Sequence, residues 1–226
     1  DSGKAVSLLA EHPGPLIDYA GHPEKVTAAV VPLIAVPTTA GTGAEVTRGG
    51  GSHPDAHSRG FGIGADQLLP KAAICDPDLT LTLPPILTAG TGMDAMGHAI
   101  EGFMAPTINP PAEAIALDAI RRVKANVVRA TDNGGDKQAR WEMLMAALEG
   151  GMAISKGLGP AHALSITCGD TGLHHGALVT IAMPAVIRFG AEAAGEKMGR
   201  LAHALGLGPD GDAAGEIARL NEALGI

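Results

Sequence analysis

The sequence predicts an α/β part up to about residue 85, followed by an all-helical part. Three observations carry this reading. Two short apolar runs, Val30–Val36 and Ala72–Cys75, have the length and the β-branched or small composition of buried strands of a parallel sheet. Leu83-Pro-Pro85 marks a change of regime. Beyond it, apolar residues recur almost everywhere at helical spacing.

Taken in order, Asp1 to about Ala10 reads as one helix, ended by His12-Pro-Gly-Pro15. Pro-rich, polar sequence leads to the first strand. Pro37-Thr-Thr-Ala-Gly-Thr-Gly-Ala-Glu-Val-Thr47 follows it directly, and its small and hydroxyl residues let backbone approach a ligand closely, with free N–H groups able to receive phosphate. By itself such a loop is also an ordinary turn. Arg48-Gly-Gly-Gly-Ser52 has no helical pattern behind it and reads as a flexible hairpin turn or a local insertion, with His53 and His57 solvated beyond it. Asp76-Pro77 closes the second strand. In the helical part, Ala116, Ile120, Val123 and Val127 form one core stripe, and Trp141, Met145, Leu148 and Met152 a second. The loop Asp132-Asn-Gly-Gly-Asp136 separates them, and Ile217, Leu220 and Leu224 repeat the pattern near the end.

Hydrophobic residues make up 46% of the chain and aromatics only 2%, so a core must be built from Ala, Val, Leu, Ile and Met. A net charge of −8 argues against nucleic acid or an anionic membrane as the main partner. No unbroken apolar run reaches the roughly 18 residues of a membrane span. Cys75 and Cys168 imply no disulfide framework, and a reducing cytoplasm fits them. The chain opens on Asp1, already in amphipathic sequence, and stops at Ile226 as a helix closes. The expectation is a piece of a longer protein, cut at both ends.

Chemistry gathers in the helical part. Asp94 and His98 stand four residues apart, which puts a carboxylate and an imidazole on one helix face, a turn apart. Alone, such a pair reads first as a plain Asp–His contact without a metal. His162, in Gly157-Leu-Gly-Pro-Ala-His-Ala-Leu164, and one of His174 and His175 would complete an Asp-His₃ set. One carboxylate with three imidazoles suits Fe²⁺ or Zn²⁺ and suits calcium poorly.

Four segments carry a resemblance to a known family: Pro32 to Thr47; Asp76-Pro-Asp-Leu-Thr-Leu-Thr-Leu-Pro84; Leu87-Thr-Ala-Gly-Thr-Gly-Met-Asp-Ala-Met-Gly-His-Ala-Ile-Glu101; and Gly157 to Gly176. In these, and in their order, the chain resembles the iron-containing (group III) alcohol dehydrogenases, whose superfamily also holds maleylacetate reductases and glycerol dehydrogenases. The resemblance implies a partial, Rossmann-like dinucleotide-binding domain over residues 1–85. It implies a helical, metal-binding catalytic domain over 86–226. It makes Asp94, His98, His162 and His175 the ligands of Fe²⁺ or Zn²⁺, His175 being preferred to His174 because it directly precedes Gly176. On the NAD or NADP side it points to Thr38, Thr39, Gly41, Thr42, Gly43 and Ala44, and with them to Thr80 and Leu83.

Two departures from the family pattern follow. Asp1-Ser-Gly-Lys4 matches the DxxK that comes after the family's GGGS phosphate loop, so Asp1 and Lys4 are what remains of that site. Exposed sheet edges, half a nucleotide pocket and poor binding of NAD(P) are expected of this polypeptide alone. Where many members carry a second His four residues after the first, this chain has Ile166, so a proton relay there is unavailable, with His174 or Asp170 as substitutes by proximity. The implied function is NAD(P)-linked oxidation of a small alcohol or reduction of an aldehyde or ketone, in a homodimer or larger assembly. Maleylacetate reductase chemistry and a non-catalytic metal-binding remnant are the alternatives.

Overall fold

The computed structural model describes residues 1–52 and 60–226, without the Ser52 and Asp170 side chains; His53 and His57 lie outside them. Helix α1 (Ser2–Leu9) covers a small cluster of Leu8, Tyr19, Val26, Ile63 and Leu68. Strand β1 (Ile34–Ala35) pairs in parallel with β4 (Ala72–Ala73). The parallel pairing is the one expected, but each strand is only two residues long. Pro32 and Pro37 bracket β1, and neither has an N–H to extend the ladder. Ile34 (60% exposed), Val36 and Ile74 are left open to solvent along this pair.

The Arg48-Gly-Gly-Gly-Ser52 stretch corrects its reading as a turn. Gly49–Ser52 is itself a strand, β2, paired antiparallel with β3 (Phe61–Gly64), Gly50 facing Ile63. A glycine run carries no alternation of side chains, so nothing local in the sequence marks it as a strand.

Helix α2 (Pro85–Met104) is the centre of the helical part, buried on nearly every side from Thr88 to Phe103. Around it pack α3 (Pro110–Asp132), α4 (Lys137–Ala153) and α6 (His175–Ala194), with α5 (Pro160–Thr167) and α8 (Ala213–Leu224) resting on α6 and α7 (Lys197–Ala204) beside α3. Side-chain oxygens of Asn109, Asp136 and Asp212 cap α3, α4 and α8 by accepting from Ala112, Ala139 and Gly215 N–H. The stripes on α3 and α8 face the core as expected: Ala116, Ile120, Val123, Val127 and Ile217 are wholly buried.

The α4 stripe is corrected. Trp141 and Met152 are 38% and 41% exposed, while Met143, Leu144, Ala146, Ala147, Gly150 and Gly151 are buried. The helix meets its neighbours through small residues: a Cβ on Gly150 would lie 3.1 Å from the Ala95 carbonyl oxygen. Close backbone approach, not bulk, defines this face, and Trp141 instead lies under the Arg122 guanidinium, 5.7 Å from its ring centre.

Among the described residues one helix, α6, is long and apolar enough to cross a membrane by length and composition. Thr180, Pro184 and Arg188 interrupt it, so it is no unbroken apolar run in the sequence. In this fold it packs on α2, α5 and α8 and leaves Ile181 and Phe189 exposed. Pro184 cannot donate to the Thr180 carbonyl a turn earlier. Asn221 of α8 supplies the missing donor through Nδ2 at 2.9 Å, and its Oδ1 accepts from the Thr180 hydroxyl at 2.7 Å. Cys75 and Cys168 are free thiols.

Candidate metal centre and cofactor-side loop

Three elements converge on the middle of α2. Asp94 projects from α2, His162 from the first turn of α5, and His175 from the first residue of α6. The start of α6 reaches α2 because both chains are glycine at the crossing; a Cβ on Gly176 would collide with the carbonyl oxygen of Gly90. One ligand atom from each of Asp94, His162 and His175 falls within 4.8 Å of the others. Asp94 Oδ1 lies 3.4 Å from His162 Nε2 and 3.7 Å from His175 Nε2. Asp94 and His162 are buried, and His175 opens to solvent on one side. His98 stands beside this group rather than inside it, its ring stacked on that of His162 at 4.5 Å.

Each imidazole is held by Nδ1. The Gly41 carbonyl, 3.3 Å from His98 Nδ1, can only accept, so that nitrogen carries the proton. His162 Nδ1 donates to Glu101 Oε2 at 2.6 Å, and His175 Nδ1 lies 3.3 Å from the Ser165 hydroxyl. The Ser165 hydroxyl proton goes to the His162 carbonyl at 2.9 Å, so Ser165 accepts from His175. For His162 and His175 this turns Nε2 toward Asp94.

Asp94 Oδ1 and His162 Nε2 are fully buried and neither makes a hydrogen bond, although they face each other. Buried polar atoms without partners are rare. Two of them aimed at one point, with an exposed imidazole closing the third side, fit a divalent cation. The donors, one carboxylate and imidazoles without a thiolate, fit Fe²⁺ or Zn²⁺. Burial works against charge on Asp94, but His98, His162 and His175 outweigh it and bring the carboxyl down to about 2. Burial likewise opposes charge on His162, and Asp94 and Glu101 overcome it and raise the ring to about 9. Burial holds His98 below its ordinary value, against the pull of Asp94.

The cofactor-side candidates divide. Asp1, Lys4, Thr38, Thr39, Thr42 and Ala44 line one cavity of about 270 Å³, together with Glu45. Gly41 and Gly43 instead brace the loop: Gly41 against Thr91 of α2, and Gly43, at φ +60°, against Gly151 of α4. Thr80 and Leu83 stand apart from this cavity, at the turn leading into α2, where Thr80 bonds Pro77 and the Leu83 carbonyl accepts from Arg140. Lys4 is buried, its Nζ donating to the carbonyls of Thr47 and Gly49 at 2.5 and 2.6 Å; burial brings it down to about 8, with Glu45 opposing. Asp1 accepts from Gly51 N–H at 3.1 Å. Both thus grip strand β2.

Sequence reasoning passed over Glu45, Ser165 and Glu101. Glu45 is buried with Oε1 unpartnered, and burial raises its carboxyl. Ser165 sits three residues beyond His162, and Glu101 is one helical turn beyond His98 on the face that carries Asp94. That i, i+4, i+7 row was the available signal.

Family models describing iron-containing alcohol dehydrogenase and the Fe-containing alcohol dehydrogenase family, C-terminal, match residues 1–77 and 88–226. The chain is 46% identical to a 4-hydroxybutyrate dehydrogenase of Cupriavidus necator over all of its own length and 62% of that protein's. It is 38% identical to a 1,3-propanediol dehydrogenase of Citrobacter freundii, covering 61% of it. Among solved structures, a 1,3-propanediol oxidoreductase superposes with a TM-score of 0.90 at 36% identity, over 99% of this chain and 61% of the other. A sulfoacetaldehyde reductase from Bifidobacterium kashiwanohense in complex with NAD⁺ also gives 0.90, at 29% identity, over 99% of this chain and 60% of that one. The chain belongs to the iron-containing alcohol dehydrogenase family. It spans about three-fifths of the length of these relatives.

Proposed function

We propose that this chain is the metal-holding and part of the cofactor-binding region of an NAD(P)-linked alcohol dehydrogenase or carbonyl reductase acting on a small alcohol, aldehyde or ketone. The observation that carries the proposal is the convergence of Asp94, His162 and His175, with two buried ligand atoms lacking partners at its centre. In this reading residues 1–85 and 86–226 are separate domains with the substrate between them.

Asp94, His162 and His175 hold Fe²⁺ or Zn²⁺, with His98 the fourth ligand. When bound, such an ion would supply Lewis acidity toward an alcohol or carbonyl oxygen, and NAD(P) would supply the hydride chemistry. Thr38, Thr39, Thr42 and Ala44 form the wall on which the cofactor rests. The Gly41–His98 contact fixes that wall against α2. The exposed side of His175 is the way in for substrate. Ile166, four residues after His162 and half-exposed, offers no proton-accepting atom. His174 uses Nδ1 to accept from Gly176 N–H as the cap of α6. In this reading neither Ile166 nor His174 takes the substrate proton. That the named relatives are dehydrogenases and reductases of small alcohols and aldehydes supports the substrate class.

The test is metal content per chain after purification without chelator, for the wild type and His175→Ala. About one Fe or Zn per chain, lost in the variant, is expected. A folded wild type that holds no metal overturns the proposal.

A further inference from the structure

We infer that Glu101 is the positioning residue of the metal centre: its carboxylate fixes His162 in the Nδ1–H form and so aims Nε2 at Asp94. This inference rests on the metal reading above.

Glu101 is buried, and among the described residues each bond of its carboxylate leads to the segment bearing His162. Oε2 accepts from His162 Nδ1 at 2.6 Å and from Gly159 N–H at 3.0 Å; Oε1 accepts from Ala161 N–H at 2.6 Å. One carboxylate thus sets both the ring and the backbone that carries it. A carboxylate oxygen facing Nδ1 makes that nitrogen the donor, and a ring so held turns Nε2 to a ligand.

The fold is shaped around this contact. A Cβ on Gly159 would stand 2.6 Å from Glu101 Oε1, so glycine there leaves room for the carboxylate. Asp94 and Glu101 lie seven residues apart on α2, on one face. A single rigid helix therefore provides both the ligand carboxylate and the carboxylate that orients the opposite ligand, so their separation is set by helix geometry.

A plainer role is possible for such a residue, that of cap to α5, since Gly159 and Ala161 begin that helix. That role affects stability alone. The two are separated by Zn²⁺ affinity, measured by chelator competition, and by long-range ¹⁵N–¹H correlation of the His162 ring in the Zn²⁺-loaded protein. Glu101→Gln keeps the shape and one acceptor oxygen while removing the charge. It is expected to weaken Zn²⁺ binding about 10- to 100-fold and to lose the slowly exchanging Nδ1 proton of His162. Glu101→Asp, which restores charge without reach, is expected to recover part of the affinity. Wild-type affinity and an unchanged Nδ1 proton in Glu101→Gln would overturn the inference while leaving the metal centre standing. A wild type that takes up no Zn²⁺ overturns both. Should Glu101→Gln fail to fold, the wild-type spectrum decides: coordination through Nδ1 rather than Nε2 would overturn the inference without any variant.

Discussion

The carbonyl of Gly41 receives Nδ1–H of His98 at 3.3 Å, joining the loop after the first strand to the helix that bears Asp94. The contact depends on Gly41 lacking a side chain, since a Cβ there would stand 2.8 Å from Thr91 Cβ and 3.0 Å from its carbonyl oxygen. Both obstacles lie at or next to the backbone of a buried helix and cannot turn aside. Gly41→Ala should therefore lift the loop from α2 and strip His98 of its acceptor, at a cost of about 1–3 kcal/mol. Urea denaturation measures this; wild-type stability in the variant would mean that loop and helix are not locked together.

Glycines in helices have opposite expected effects here according to what they face. Ordinarily Gly→Ala inside a helix gains about 0.5–1 kcal/mol. On α4, a Cβ at Gly151 would meet the Gly43 carbonyl oxygen at 2.8 Å and Val46 Cγ2 at 3.0 Å, so overpacking of about 1–3 kcal/mol should win. On α7, a Cβ at Gly199 meets only the Pro209 carbonyl oxygen at 3.4 Å, and the propensity gain should win. Thermal denaturation should show Gly151→Ala melting lower and Gly199→Ala melting higher than the wild type. Both shifting in the same direction would contradict this packing.

These contacts also show where the sequence was legible. The α3 and α8 stripes and the helix-separating Asp132–Asp136 loop are local signals, and each lies where its spacing places it. Gly49–Ser52 as a strand and the small-residue face of α4 are made by neighbours distant in sequence, and bulk-based periodicity misleads for both. The bonds of Nδ1 to Gly41, Glu101 and Ser165 arise only once α2, α5 and α6 meet. The motifs carry the ligand candidates; the groups that orient them are brought in by tertiary contact.

Glu149 gives stability a pH dependence. Burial, with Asp118 adding to it, raises this carboxyl to about 7, although Arg122 at 3.2 Å pulls the other way. A folded pKa above the unfolded value means that the native state binds the extra proton, so stability falls as pH rises between about 4.5 and 7. Glu149→Gln removes this term and should become the more stable protein at pH 8 relative to pH 5, by about 1–3 kcal/mol against the wild type. Urea midpoints at the two values test it; equal pH dependence in both proteins would show that Glu149 ionises normally.

The bond between α8 and the Pro184 site of α6 allows a test of compensation. Pro184 leaves the Thr180 carbonyl without its helical donor, and Asn221 Nδ2 fills the vacancy at 2.9 Å while Oδ1 takes the Thr180 hydroxyl proton at 2.7 Å. Thr180 and Asn221 are both buried, so no water competes for these groups. Asn221→Leu should strand the carbonyl and the hydroxyl together and cost about 2–4 kcal/mol. In a Pro184→Ala background the residue at 184 has an N–H that can close the helical bond to Thr180, and the same Asn221→Leu change should cost about 1–2 kcal/mol less. The two singles and the double variant, compared by denaturation, give the coupling directly. Additive costs would mean that Asn221 acts on the hydroxyl alone and that the carbonyl freed by Pro184 is satisfied some other way.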